Sequence, residues 1–138
     1  MASHHIISAF KGGMAFSAEL NGHSVTIDLN KERGGNNTGP QPKALMLVSL
    51  AGCTGVDVVM ILNKMRVEFS DFSIDVDAVL TETEPAVYHT VKLIYNIRVK
   101  KDEEAKVEKA VDLSQNKYCG VSAMFRAFAK LETEINFL

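Results

Sequence analysis

The feature that most constrains this fold is a long apolar segment near the middle of the chain. Residues 43–66 read as one helix that is apolar on nearly every side until Asn63. Pro42 precedes them, where a proline suits the first helical turn. A helix that is apolar on most sides is buried on most sides. A chain of 138 residues can hardly cover such a helix alone, so the segment favours a homodimer.

The same segment is also long enough to span a membrane. Residues 44–62 are largely apolar, and about 20 apolar residues cross a bilayer. Asp57 lies near their middle, however, and a carboxylate at the bilayer centre costs about 2.5–3.5 kcal/mol on insertion scales. The first ten residues contain no long apolar core of a signal peptide. We therefore predict the core helix of a soluble, cytoplasmic protein that makes no membrane contact.

Alternating apolar and polar residues on both sides of this helix predict β-strands. The chain begins with predicted strands over residues 4–10, 14–20 and 24–29, and Asn21 and Gly22 indicate a type I′ hairpin between the last two. After the apolar helix come predicted strands over 68–82 and 86–100, a helix from Asp102, a helix over 121–130 and a strand over 131–138. The order βββ-α-ββ-αα-β predicts an α+β fold, with antiparallel sheets around one central helix, in a single domain over residues 1–138.

Composition excludes several classes of function. The formal net charge is −2 and charged residues make up 23% of the chain, so no basic excess points to a nucleic-acid partner. Two cysteines are too few for a disulfide scaffold, and their spacing does not match a zinc site. Two of the four histidines, His4 and His5, are adjacent, His23 and His89 lie elsewhere in the chain, and the four form no recognisable site. We predict neither a bound metal nor a cofactor.

The two cysteines lie in different surroundings. Cys53 is in the middle of the apolar helix, where a free cysteine is commonly a small buried core residue. Cys119 follows a polar stretch and opens a predicted helix, where backbone N–H groups can stabilise a thiolate. From position alone, either cysteine could be structural or reactive, and their separation along the chain says nothing about their distance in space.

Four motifs resemble those of one known family. They are GPQP over residues 39–42, LAGCTGVDVV over 50–59, AVDLS over 110–114 and KYCGV over 117–121. Together they resemble the OsmC/Ohr family (osmotically induced protein C and organic hydroperoxide resistance protein), in a less characterised OsmC-like branch. The resemblance implies an intertwined homodimer, in which two wrapping sheets bury the central helices. Such a dimer would account for the apolar helix.

The resemblance also implies a thiol chemistry. The cysteine corresponding to Cys53 attacks the terminal oxygen of an organic hydroperoxide and becomes a sulfenic acid. The cysteine corresponding to Cys119 condenses with it, and a dithiol such as a dihydrolipoyl group reduces the resulting disulfide. Both steps agree with general thiol reactivity. A mostly apolar pocket would favour alkyl or aryl hydroperoxides over hydrogen peroxide.

The chain departs from the family in the residues that assist the first cysteine. Active members supply an arginine and a glutamate, and the glutamate positions are occupied here by Lys43 and Ala44. Ten helical residues span about 15 Å, so Lys43 could reach only Cys53 of the partner subunit, unless the helix bends. Arg33 in the glycine-rich loop is the best candidate for the family arginine.

Asp57 follows Cys53 by one helical turn, so the two side chains could share a face. An unpaired carboxylate would disfavour the thiolate, whereas an Asp57 paired with Arg33 or Lys43 could orient that cation. Two alternatives to a peroxidase therefore stay open. One is a dimer of the same fold that binds a small molecule or lipid without catalysis. The other is a redox sensor that forms the disulfide without turnover.

Overall fold

The order of the secondary-structure elements confirms the predicted α+β class. The computed structural model describes residues 1–138. Its elements are β1 (Ser8–Phe10), β2 (Phe16–Leu20), β3 (His23–Ile27), α1 (Pro42–Lys64), β4 (Ser70–Leu80), β5 (Tyr88–Arg98), α2 (Glu104–Leu113), α3 (Gly120–Arg126) and β6 (Lys130–Phe137). The chain forms two compact units, Met1–Met46 and Leu47–Leu138.

The first unit contains an antiparallel sheet in the order β1-β2-β3. Leu20 pairs with His23, so only two residues form the loop between β2 and β3. Those residues, Asn21 and Gly22, have φ angles of 53° and 80°. A type I′ turn requires positive φ at both positions, and the predicted hairpin is confirmed.

The loop after β3 is organised around one carboxylate. Asp28 is 1% exposed and accepts hydrogen bonds from the backbone of Leu29 and Asn36, and from both the backbone and the hydroxyl of Thr38. The Thr38 hydroxyl and these N–H groups hold the pKa of Asp28 below its ordinary value of 3.8. A Cβ atom on Gly35 would collide with the Leu29 carbonyl, so the closed loop requires glycine there.

The second unit is built on a mixed sheet in the order β4-β5-β6. β4 and β5 pair antiparallel, whereas β5 and β6 pair parallel. The prediction of purely antiparallel sheets is therefore wrong for this sheet. The reason is the connection, because α2 and α3 form a crossover that returns the chain to the starting end of β5, as a parallel pair requires.

The core of the second unit lies between this sheet and one side of α1. β5 contributes Val91, Leu93, Tyr95 and Ile97, which are fully buried at every second position. α1 contributes a stripe of four buried residues, Leu50, Thr54, Val58 and Leu62. The four-residue spacing of this stripe places its members on one helix face.

The opposite side of α1 is exposed. Val48, Val56 and Met60 are 64%, 59% and 56% exposed, so one chain alone leaves this side of the helix uncovered, and its burial between two subunits stays a prediction. α1 is also long and apolar enough to cross a membrane by length and composition. Its outward face is thus an apolar surface that nothing within the second unit covers.

The buried carboxylate in the first unit gives a testable pH dependence. Because folding lowers the pKa of Asp28, its stabilising effect is present above pH 3.8 and is lost as the pH falls through the lowered pKa. We expect Asp28→Asn to lower the melting temperature at about pH 7, and the difference in melting temperature from the wild type to narrow as the pH falls below 3.8. Thermal unfolding followed by circular dichroism measures this. Asp77→Asn, at an exposed position of β4, is the control, and an equal effect of the two variants at neutral pH would contradict the account.

Candidate functional site

The two cysteines of the second unit lie against each other. Both are free thiols, and they lie close enough for the Cys119 thiol to affect the pKa of Cys53. Cys53 is half-buried in the middle of α1, between the buried stripe and the exposed face of that helix. Cys119 is 4% exposed. Residues that are 66 positions apart therefore form one pair of sulfurs with unequal access to solvent.

A wide turn before α3 places Cys119 in this position. Residues Ser114–Tyr118 form one π-helical turn, and the backbone becomes extended at Cys119, whose N–H donates to the Ser114 carbonyl at 2.7 Å. Cys119 is the N-cap of α3. Its Sγ accepts two hydrogen bonds from Ser122, at 3.3 Å from the backbone N and 3.1 Å from Oγ.

A buried chain of hydroxyl groups runs beside the sulfurs, and its charged end fixes the direction of its hydrogen bonds. Ser114 donates to Asp57 Oδ2 at 2.9 Å, because a carboxylate only accepts. The single hydrogen of Thr54 must then go to Ser114 at 2.7 Å, and that of Tyr95 to Thr54 at 2.7 Å. Tyr95 in turn accepts from Gln115 Nε2 at 2.9 Å. Each hydroxyl group therefore donates toward Asp57.

The other end of the chain is a guanidinium group. Arg126 donates from Nη1 to the Gln115 carbonyl and from Nη2 to Gln115 Oε1, both at 2.7 Å. These two hydrogen bonds from the planar guanidinium group hold the Gln115 side chain in a single orientation. The network thus extends from Arg126 to Asp57 and ties α1, β5 and the turn before α3 together.

The environment of Cys53 disfavours its thiolate. Burial raises the pKa of Cys53 above its ordinary value of 9.0, and the Cys119 thiol and the Asp57 charge add to this rise. A hydrogen bond from the Val121 backbone acts in the opposite direction. Asp57 therefore lies close enough to act on Cys53 electrostatically. Its carboxylate also accepts a hydrogen bond from the Ser114 hydroxyl.

The sequence-predicted assisting residues fall into different parts of the chain. Asp57 belongs to the same unit as both cysteines. Arg33 ends a short 3-10 turn (Lys31–Arg33), Lys43 is the second residue of α1, and both belong to the first unit. The activating roles of Arg33 and Lys43 stay predictions.

Sequence reasoning missed most of the network. Gln115, Ser122 and Arg126 were not recognised, although they form the surroundings of Cys119. One available signal was Thr54, a hydroxyl residue within an apolar helix. A buried hydroxyl needs a partner, and this need indicates a polar contact that crosses the core. No described group of His, Cys, Asp or Glu side chains could hold a metal ion.

Apolar depressions border the site along α1. One of about 570 Å³ lies between α1 and β4, and its lining includes Ala51, Gly52 and Phe72. A second of about 350 Å³ has Asp57 at its wall beside Met60 and Tyr118. Both depressions lie along α1, and Cys53 itself lines neither of them.

Comparison with known proteins decides the family. A family model described as "OsmC-like protein" matches residues 34–134. The chain belongs to the OsmC-like family. It is 31% identical over 113 residues to "Protein YhfA" of Escherichia coli strain K12, and the match covers 81% of each protein.

Solved structures of other proteins share the fold. A crystal structure of a hypothetical protein from Aquifex aeolicus has a TM-score of 0.81 and 28% identity, and covers 100% of this chain and 99% of its own. An organic hydroperoxide resistance protein OsmC from Legionella pneumophila has a TM-score of 0.63 and 18% identity, with 99% of both chains covered. At that identity the likeness shows the fold alone.

The raised pKa of Cys53 can be measured directly in this OsmC-like protein. In Cys119→Ser, where one thiol remains and burial is still the main cause, we expect the rate of alkylation by iodoacetamide to rise with a midpoint above pH 9.0. Adding Asp57→Asn removes a negative charge and should lower the midpoint. Because the folded pKa is raised, the folded state should also lose stability as the pH rises above 9.0. A midpoint well below the ordinary value would contradict this description of the site.

Proposed function

We propose that the protein is a thiol-dependent peroxidase that reduces organic hydroperoxides through Cys53 and Cys119. The observation that carries the proposal is the contact between the two free thiols, one half-buried and one buried. A half-buried sulfur can meet a substrate, and a second sulfur in contact with it can trap the oxidised product. Structural relatives named organic hydroperoxide resistance proteins support the same chemistry.

Each step follows from thiol chemistry. The Cys53 thiolate attacks the terminal oxygen of the hydroperoxide, the O–O bond breaks, and the alcohol leaves after protonation. Cys53 is then a sulfenic acid. Cys119 attacks its sulfur, an S–S bond forms and water leaves. An external dithiol then supplies two electrons and two protons, which returns both cysteines to thiols, and the dithiol itself becomes a disulfide.

The surroundings of Cys53 supply part of what the first step needs. The Val121 N–H stabilises negative charge on Cys53 Sγ, opposite to the effects of burial and of Asp57. The apolar depressions beside α1, with Phe72 and Met60 in their walls, suit an alkyl or aryl group better than hydrogen peroxide, and a second copy on the exposed face of α1 would form part of their walls. Substrate preference should therefore follow the apolar part of the hydroperoxide.

One observation favours a second function. Burial and Asp57 raise the pKa of Cys53, so at neutral pH little thiolate is present and oxidation would be slow. A slow reaction that still ends in a disulfide would suit a redox sensor better than a turnover enzyme. Sustained consumption of peroxide with dihydrolipoamide as reductant distinguishes the two functions, because a sensor would be oxidised once.

The reaction with hydroperoxide can be followed by thiol count and intact mass. One equivalent of cumene hydroperoxide should remove both thiols of the wild type, and it should do so faster than one equivalent of hydrogen peroxide. Cys119→Ser should accumulate a sulfenic acid that dimedone traps at Cys53, and Cys53→Ser should not react. If both thiols of the wild type remained free, the peroxidase and the sensor would both be excluded, and a binding protein of the same fold would be favoured.

We also propose that the protein is a homodimer whose interface includes the exposed face of α1. This face presents Val48, Val56 and Met60 around Gly52, and small residues allow two helices to approach closely. A second copy is a better occupant than a membrane, because Asp57 lies on the same helix. Exposed apolar side chains that share one helix face are typical of a protein interface.

A single charge should test the interface. We expect the wild type to sediment as a dimer at micromolar concentration and Val56→Asp to sediment as a folded monomer, because an unpaired charge is costly in an apolar interface. Val79→Asp is the matched control, since Val79 is 62% exposed on β4. A wild type that is monomeric, or a dimer that survives Val56→Asp, would contradict this interface. Binding of the wild type to lipid vesicles would favour the membrane instead.

A further inference from the structure

The Gln115 side chain is held in one orientation, and this determines which of its atoms face the sulfurs. Arg126 has only donors, so the atom of Gln115 at 2.7 Å from its Nη2 must be the amide oxygen. The amide nitrogen therefore faces inward. It lies 2.9 Å from the Tyr95 hydroxyl and 3.1 Å from both Thr54 Oγ1 and Ser122 Oγ.

This orientation in turn fixes the Ser122 hydroxyl. The Ser122 oxygen accepts a hydrogen bond from the amide nitrogen of Gln115. An amide nitrogen is a donor only, so it cannot accept the Ser122 hydrogen in return. The Ser122 hydrogen is then free to point at Cys119 Sγ, 3.1 Å away. The backbone N–H of Ser122 donates to the same sulfur at 3.3 Å. Cys119 Sγ is thus held by two donors from one residue.

The two sulfurs differ in what they can do when they are joined. Two donors on Cys119 Sγ stabilise negative charge that develops there. Burial and the Asp57 carboxylate oppose negative charge on Cys53. Cys53 is also the more exposed of the pair, so an incoming thiol reaches it first.

We propose that Gln115 is a positioning residue that directs the Ser122 hydroxyl onto Cys119 Sγ. This contact makes Cys119 the leaving sulfur when an external thiol reduces its disulfide with Cys53. The proposal rests on the disulfide of the proposed function and adds the direction of its reduction. Arg126 orients the Gln115 amide, so it acts indirectly in the reductive half of the cycle.

A thiolate of the reductant attacks Cys53 Sγ, a bond forms between the two, and the bond from Cys53 to Cys119 breaks. The electron pair leaves on Cys119 Sγ, where Ser122 donates two hydrogen bonds to it, and a proton follows. A second thiol of the reductant then displaces Cys53. The reductant leaves as a disulfide, having supplied two electrons and two protons.

The direction of attack can be tested without any peroxide. Diamide, which removes two hydrogens from a pair of thiols, converts the wild type to the disulfide form. Brief reaction with limiting glutathione is quenched with iodoacetamide, and peptide mass spectrometry locates both groups. We expect glutathione on Cys53 and the alkyl group on Cys119, by about tenfold over the reverse arrangement, as one charge-assisted hydrogen bond can produce.

Variants separate the positioning role from a merely structural one. Ser122→Ala removes the hydroxyl donor, and Gln115→Glu offers a carboxylate that takes the Ser122 hydrogen away from the sulfur. Each should slow reduction about 3- to 10-fold and move glutathione toward Cys119. Ser122→Thr keeps a hydroxyl and should restore both values. Ser73→Ala, an exposed hydroxyl on β4, is the control that should change neither.

Three results would overturn the inference. Glutathione found mainly on Cys119 in the wild type would reverse the assigned direction. An unchanged distribution in Ser122→Ala and Gln115→Glu, even with a lower melting temperature, would reduce the network to a structural role. Failure of diamide to join Cys53 and Cys119 would remove its basis. A disulfide that diamide forms and hydroperoxide does not would instead contradict the proposed function and leave this inference standing.

Discussion

The hydrogen-bonded chain from Arg126 to Asp57 is the interaction on which the second unit depends. It crosses the core from the turn before α3, through the Tyr95 hydroxyl of β5, to α1. Buried polar groups are costly unless they are paired, so the chain is favourable only when these three elements meet in one arrangement. That arrangement is also the one that brings Cys119 against Cys53. The polar network and the sulfur pair are therefore one structural solution.

This arrangement gives the two sulfurs unequal properties. Cys53 is nearer to solvent but is disfavoured as a thiolate by burial and by Asp57. Cys119 is buried and receives both donors of Ser122. An OsmC-like protein of this kind would be oxidised at the accessible sulfur and would place negative charge on the protected one during reduction. In the proposed cycle, the effect of Asp57 on the pKa of Cys53 would bear on the oxidative half.

Local patterns predicted the elements well, because strand alternation and the Asn21–Gly22 hairpin depend only on neighbouring residues. The parallel pairing of β6 was not predictable in this way, since it depends on the path of α2 and α3. In the site, the cysteine motifs led to Cys53 and Cys119. The burial of Gln115 could not be predicted, because a polar residue in a polar stretch is normally exposed to solvent. Only the π-helical turn places its side chain in the interior.

The central claim is that the two sulfurs form one redox pair, and peptide mapping of the oxidised protein tests it most directly. Protein treated with cumene hydroperoxide, blocked with N-ethylmaleimide and digested without reductant should contain the peptide of Cys53 joined to the peptide of Cys119. Reduction should release both peptides in equal amounts. If Cys53 were found as a sulfinic acid and Cys119 as the N-ethylmaleimide adduct of a thiol that had stayed free, the account would be contradicted.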